Sequence, residues 1–331
     1  MENFKAFRVY NGDQNIAGRV VKMGLDELSP GEVVFRTAYS SVNYKDALAA
    51  TGTGGKIIRS YPLVGGIDAA GTVVSSSDAR FKPGDEVICT SYDMGVAHNG
   101  GYAGFCRAPA DWIVPLPEGL TLYEAMALGT AGYTAGLAVE YLELNGLTPH
   151  NGKILVNGAT GGVATLAIDM LARGGYAITA VTSKSGEHDF LKELGAQDIL
   201  ARGSLEMGKR PLEKPLWAAA LDSVGGEQLA WLTRTMQPEG LIASFGNAGG
   251  IELQTTVLPF ILRGVRLIGV NSATTPMALR RRVWARLATD LKPRHLDRIA
   301  YTISLDALPA QFEKLIKGEA RGRAVVACSE A

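Results

Sequence analysis

The stretch KILVNGATGGVATLAIDMLARGG, which begins at Lys153, limits the possible folds more than any other part of the chain. It runs from an apolar segment through a glycine-rich turn into apolar residues at helical spacing, and closes at Gly174-Gly175. An apolar run without alternation suits a strand buried on both faces, and glycine lets the backbone turn sharply into the helix that follows. Gly158, Gly161 and Ala164 form a GxxGxxA pattern, with Gly162 adding room at the helix start. A dinucleotide-binding turn needs small residues at such offsets, for a tight bend, close approach to a pyrophosphate and close packing of helix on sheet. A glycine triplet alone is weak support, because other strand-to-helix turns share it. The chain has 40 glycines in 331 residues, well above the usual share of roughly 7%.

The surrounding sequence supplies context. YAITAVT, the shorter DIL, WAAALDSVG, GLIASFG and VRLIGVN follow in turn, separated by helix-like segments that start near Leu120 and end near Asn271. Such alternation predicts a parallel sheet covered by helices. Upstream, from Phe4 to Pro117, short β-rich runs broken by turn residues predict a barrel or sandwich. Downstream, TTPMALRRRVWARLATDL predicts a helix with Thr275 as N-cap and Pro276 first, placing Leu279, Val283, Leu287 and Leu291 on one face. LPAQFEKLIKG predicts a last helix ending at Gly318, and GRAVVAC a last strand. The domains expected are 1–127, 128–271 and a C-terminal return over 272–331.

Composition excludes several classes. The 33 basic and 33 acidic residues cancel, so no global field favours nucleic acid or a membrane surface. No stretch of about eighteen uncharged apolar residues suggests a spanning helix. Cys89, Cys106 and Cys328 have no CxxC spacing, and MENFKAFRVY carries no signal-like apolar run, which points to a reducing, cytoplasmic setting. His98, His150, His188 and His295 show no metal-ligand spacing, and no metal site is expected.

About twenty residues past the glycine turn, an NAD-binding unit normally places an acidic residue on the ribose 2′-hydroxyl. This chain has Thr182, Ser183 and Lys184 there. A carboxylate would repel a 2′-phosphate, whereas a hydroxyl and an ammonium can bind it, so NADPH is expected rather than NADH. Arg202, after DIL, can add a second cation or stack on the adenine. Lys184 and Arg202 read equally well as ordinary solvated loop charges.

SSVNYKDALAATG, FKPGDEV, APADWIVPLP, LGTAGYTAGLAV, GATGGVATLA, LDSVGG, PFILRGVRLIGVNS and RGRAVV together carry a resemblance over essentially the full chain. The chain resembles the medium-chain dehydrogenase/reductases, in their zinc-free quinone-oxidoreductase-like branch, and most closely the NADPH-dependent acryloyl-CoA reductases. That likeness implies an α/β protein with a GroES-like β-barrel catalytic domain and a Rossmann doubly wound parallel-sheet domain. It also implies a homodimer, to which RLIGVN as a sheet-edge strand lends mild support.

Zinc-dependent relatives hold a catalytic metal with Cys and His. At the positions that correspond, this chain has Asn43, Ile67 and Thr130, which do not form a zinc ligand set. Without a Lewis acid a plain ketone lacks electrophilic assistance, whereas an alkene conjugated to a carbonyl carries its own electron sink. Hydride addition to acryloyl-CoA, giving propionyl-CoA, is the reaction the resemblance implies, with quinone reduction as the enzymatic rival. A cofactor-binding protein without turnover is the non-enzymatic alternative.

The resemblance places Tyr44, in the NYKD turn, beside the nicotinamide. Its phenol can donate to the enolate, or Tyr44 can simply position the cofactor. Asn43 can orient a substrate carbonyl or satisfy a strand end, and Asp46 suits a local cap. Further contacts implied are Thr160, Gly161, Gly162 and Val163 on the pyrophosphate, Asn247, Ile261, and Ser272 near the nicotinamide. The family more often has Asp at position 271 and Gly at 164, where this chain has Asn271 and Ala164. For the phosphates of a CoA thioester the candidates are Arg323, with Arg321, and the run Arg280-Arg281-Arg282 with Arg286. The run reads otherwise as a solvated helix face.

Overall fold

The computed structural model describes residues 3–12 and 15–329. The chain opens with β1 (Phe4–Asn11), β2 (Ile16–Met23), β3 (Val33–Ser41), α1 (Tyr44–Thr51), β4 (Leu63–Val64), β5 (Asp68–Ser76), β6 (Glu86–Thr90), β7 (Phe105–Ala108) and β8 (Ile113–Pro115). There follow α2 (Leu122–Leu144), β9 (Lys153–Val156), α3 (Gly162–Arg173), β10 (Ala177–Thr182), α4 (His188–Glu193), β11 (Asp198–Ala201), β12 (Trp217–Asp222), α5 (Gly226–Thr235), β13 (Met236–Ser244), α6 (Leu258–Arg263) and β14 (Arg266–Gly269). The chain ends with α7 (Met277–Ala288), α8 (Leu296–Ile299), β15 (Ala300–Ser304), α9 (Leu308–Ile316) and β16 (Arg323–Ala327).

These elements form two compact units. The first takes Met1–Ala131, Ala273–Ala288 and Leu296–Ala331; the second takes Gly132–Ser272 and Thr289–His295. The short return Thr289–His295 corrects the expected C-terminal piece, which kept 272–331 together. Its physical cause is Asp169, buried on α3, whose carboxylate accepts from the His295 backbone N–H and lies 3.2 Å from His295 Nδ1.

In the first unit a mostly antiparallel sheet runs β15-β16-β3-β5-β6-β8, with β7 also on β3, and a smaller sheet runs β2-β1-β4. β16 lies antiparallel on β3 in the register Val325↔Ser41 and Val326↔Ser40. This register brings the last strand of the chain beside the end of β3. Phe7, Tyr102 and Phe312 meet edge-on or tilted in the core beneath.

In the second unit all strand pairs are parallel, in the order β11-β10-β9-β12-β13-β14. This is the doubly wound order expected of a Rossmann unit. Ile154, Leu155 and Val156 of β9 are fully buried, as an unalternated apolar strand covered on both faces requires. Gly158, just past β9, has φ of 57°, and a side chain there would collide with Ser223 Oγ.

On α7 the helix begins at Met277, and Pro276 accepts from the Arg280 N–H. The buried face is Arg280, Val283, Trp284 and Leu287, so Arg280 takes the core position expected of its half-buried neighbour Leu279. Among the described residues no helix is long and apolar enough to cross a membrane.

Candidate active site

The polar residues at the end of β3 converge on Asp68, the fully buried first residue of β5. Asp68 Oδ2 accepts from Ser41 Oγ at 2.6 Å, Asn43 Nδ2 at 2.7 Å and the Thr130 backbone N–H at 2.9 Å. Oδ1 accepts the Thr130 hydroxyl. Arg323, at the start of β16, places Nη2 3.8 Å from the same carboxylate. Its guanidinium also donates to Ser41 Oγ, Asn43 Oδ1, and the carbonyls of Val42 and Ala127. Burial pulls the Arg323 guanidinium down from its ordinary range, opposed by the charge of Asp68.

A buried ion pair is tolerable only when its remaining lone pairs and N–H groups are hydrogen-bonded, and here they are. Gly129 makes the arrangement possible. It interrupts α2 with φ of 52° and ψ of −154°, and so delivers the next N–H onto Asp68. A Cβ at this position would overlap Ser41 Oγ and come within 2.6 Å of Arg323 Nη2 and Asp68 Oδ2.

Asp46 ties the turn to the same strand. Its Oδ2 accepts from the Asn43 N–H, closing the start of α1, and its Oδ1 accepts from the Ile67 N–H. The Asp46 carboxyl is pushed up to about 7, first by its own burial and then by the charge of Asp68. The folded protein therefore holds a proton here from about pH 4 to 7 that the unfolded chain releases near pH 4. The stabilisation from that proton is complete below about pH 4 and is lost as pH rises through about 7. Urea unfolding at about pH 5.5 and 7.5 should show a fall on the order of 2 kcal/mol that Asp46→Asn lacks. Equal pH dependence in the two proteins would remove Asp46 as its source.

The expected site residues divide accordingly. Asn43 is buried, and its amide serves the Asp68–Arg323 cluster at both ends rather than a plain strand end. Tyr44 stands at the first position of α1 and is 42% exposed. Arg323 is corrected: it is 3% exposed and bonded throughout, so it presents no charge to a phosphate in solvent. Arg280 is likewise fully buried, while Arg281 and Arg282 are exposed.

In the second unit the strands end at Val156, Thr182, Ala201, Asp222, Ser244 and Gly269. Just beyond these ends stand Thr160 to Val163, Ser183, Lys184, Arg202, Asn247 and Ser272, while Thr182 closes its own strand. Parallel sheets bind ligands along this edge. Gly162 opens α3, a 12-residue helix whose first-turn N–H groups have no intrahelical acceptor. The cradle and the carboxylate-free run 182–186 fit a dinucleotide bearing a 2′-phosphate. Ser272 accepts from the Thr134 hydroxyl at 2.8 Å. Ile261 does not join this edge. It lies on α6, 68% exposed, and the nearby Arg263 bonds the Met236 carbonyl at the opposite end of β13.

Asp68, Ser41 and Thr130 were not singled out from sequence as acting together. The available signal was a carboxylate inside the apolar run LVGGIDAAG, which must find donors if that run is buried. Asn43, Ile67 and Thr130, the positions that correspond to zinc ligands, do meet around Asp68 and Asp46, but as hydrogen-bond donors to carboxylates. Among the described residues no group of three or more His, Cys, Asp or Glu is placed to hold a metal ion.

The chain thus combines a doubly wound dinucleotide-type unit with a β-rich unit that holds a buried carboxylate–guanidinium cluster, the two-unit make-up of an oxidoreductase. Residues 29–118 match the alcohol dehydrogenase GroES-like domain. The chain is similar to the acrylyl-CoA reductase AcuI of Ruegeria pomeroyi, 48% identical over 93% of each chain. It is also similar to the putative quinone oxidoreductase YhfP of Bacillus subtilis, 45% identical over 98% of each; the structure of B. subtilis yhfP with NAD bound gives a TM-score of 0.96 at 44% identity, over 99% of this chain and 100% of that one. The yhdH oxidoreductase of Salmonella enterica in complex with NADP gives 0.95 at 44% identity, over 98% and 100%. The chain belongs to the quinone-oxidoreductase-like branch of the medium-chain dehydrogenase/reductases.

Proposed function

We propose that this protein is an NADPH-dependent, zinc-independent reductase of alkenes conjugated to a thioester, with acryloyl-CoA as substrate and propionyl-CoA as product. The observation that carries this reading is the Asp68–Arg323 cluster. Asn43, Ile67 and Thr130, the positions that correspond to zinc ligands, are committed there as hydrogen-bond donors to Asp68 and Asp46, a set that offers a metal no Cys or His, so no Lewis acid assists a plain carbonyl. The substrate must then bring its own electron sink. When bound, NADPH would supply a hydride to the β-carbon, with the alkene's electron pair taken up by the thioester oxygen and a proton added at the α-carbon.

The first turn of α3 would hold the pyrophosphate, Thr182, Ser183, Lys184 and Arg202 the 2′-phosphate, and Asn247 and Ser272 would line the remainder of the cofactor. Asn43 and the cluster hold the backbone at the start of α1, which fixes Tyr44. The Tyr44 phenol then donates to the developing enolate. Tyr44→Phe should lower turnover by about 10- to 100-fold with NADPH binding little changed. Unchanged turnover would leave Tyr44 with cofactor positioning alone.

The functional test is NADPH oxidation by the purified protein with chelator present, on acryloyl-CoA, crotonyl-CoA and a simple quinone, with NADH in parallel. Fast turnover of acryloyl-CoA with NADPH is expected. Preference for the quinone, which the name of the B. subtilis relative favours, would overturn the substrate, and preference for NADH would overturn the 2′-phosphate reading.

We infer further that the protein is a homodimer. β14 is an outer strand of the sheet of its unit, and Val257, Ile261, Leu262 and Leu267 are exposed on it or on the segment leading to it. An apolar sheet edge of this kind calls for a partner. Light scattering that gives a monomer mass would refute this. A cytoplasmic location fits Cys89, Cys106 and Cys328, all buried free thiols; cell fractionation is the check.

A further inference from the structure

The first arginine of the run Arg280-Arg281-Arg282 is neither solvated nor turned toward a ligand. Arg280 is fully buried, and its Nη1 donates to the Thr90 carbonyl at 3.2 Å and the Thr90 hydroxyl at 3.0 Å. Nη2 donates to the Ala273 carbonyl at 3.3 Å, which also accepts the Tyr92 N–H. The guanidinium carbon sits 4.5 Å from the centroid of the Tyr92 ring, whose plane is stacked on Trp112 at 5°. Arg280 thus holds both flanks of Ser91, at Thr90 and at Tyr92.

That turn is strained. Ser91 and Tyr92 have φ of 66° and 51°, a region that residues with side chains rarely occupy and that persists only where surrounding contacts enforce it. The strained backbone aims Ser91 at the active site: Ser91 Oγ lies 3.0 Å from Thr130 Oγ1. Thr130 gives its only hydroxyl proton to Asp68, so the Ser91 hydroxyl must be the donor to Thr130. The Ser91 N–H is bonded to the carbonyl of Ile67, the residue before Asp68.

We propose that Arg280 is a positioning residue for the reaction: by clamping Thr90–Tyr92 in the left-handed turn it aims Ser91 at Thr130, and Ser91 fixes the direction in which Thr130 bonds Asp68. Arg280 touches neither Asp68 nor any reacting atom in this scheme. The proposal rests on the reading of the Asp68 cluster as the active site.

The test is a double-substitution cycle with Ser91→Ala and Arg280→Lys, the lysine keeping the cation but losing the forked contact. Turnover and KM are measured with acryloyl-CoA and, separately, with a quinone. Each single substitution should lower kcat about tenfold without changing KM for NADPH. The pair should be no slower than Ser91→Ala alone, although their losses in melting temperature add. A crystal structure of the Arg280→Lys protein should show Ser91 Oγ withdrawn from Thr130.

Two kinetic results would overturn the proposal: kcat losses that multiply in the pair, or an Arg280→Lys protein that melts lower but turns over at the wild-type rate. An unmoved Ser91–Thr130 contact in the crystal structure would overturn it without reference to any substrate. Failure of wild-type protein on acryloyl-CoA with turnover of quinone would instead sink the substrate reading, leaving the cycle to be decided on quinone.

Discussion

Gly129→Ala should abolish turnover and lower stability by about 3 kcal/mol or more. Two independent costs combine. The backbone at φ of 52° and ψ of −154° lies in a region that is essentially glycine-only. The added methyl would also overlap Ser41 Oγ, Arg323 Nη2 and Asp68 Oδ2, none of which can retreat without breaking a buried hydrogen bond. If the backbone relaxed to remove the strain, the Thr130 N–H and hydroxyl would leave Asp68, exposing a buried charge to an apolar interior. Denaturant unfolding and initial rates of NADPH oxidation measure the two effects. A stable, active Gly129→Ala protein would mean that the kink does not hold the cluster in place.

Arg323→Met should cost about 3–5 kcal/mol, the usual penalty for leaving one member of a buried pair without the other. The methionine retains much of the side-chain volume, so the loss reports charge and hydrogen bonds rather than a cavity. Five acceptors or counter-charges lose their partner: Asp68, Ser41 Oγ, Asn43 Oδ1 and the carbonyls of Val42 and Ala127. Adding Asp68→Asn should recover part of this stability, because the remaining side chain is neutral, with a coupling on the order of 2 kcal/mol. Activity should not return, since neither variant rebuilds the cluster. Thermodynamic additivity of the two substitutions would show that the 3.8 Å pair carries no energy of its own.

Much of the architecture was legible because it depends on short-range pattern. The strands KILV, AITAVT and the rest of the parallel sheet announce themselves as unalternated apolar runs, and the glycine turn at Gly158 follows from the need for φ of 57° there. The NYKD turn stood out in the sequence as a polar cluster, but the partners of its side chains did not. Asn43 shows only a polar side chain before a helix; that it bridges Asp68 and Arg323 depends on residues 25 and 280 positions away. Arg323 read as a candidate for the phosphates of a CoA thioester because the resemblance returns the last strand to the catalytic domain; β16 does pair with β3, and that pairing buries the guanidinium instead of presenting it to a ligand. The three adjacent arginines were indistinguishable in sequence. A helix turns about 100° per residue, and packing alone selects Arg280 to enter the core while Arg281 and Arg282 remain outside.

The amino-acid sequence by itself therefore determined the order of strands and helices, the glycine cradle for a dinucleotide and the absence of a carboxylate from residues 182–186, because each rests on neighbours within a few positions. Only the tertiary structure decided that Ser41, Asn43, Asp68, Thr130 and Arg323 form one hydrogen-bonded cluster. The physical reason is that a buried carboxylate requires donors, and which donors reach it is set by strand register and by one kink at Gly129, neither of which local pattern encodes.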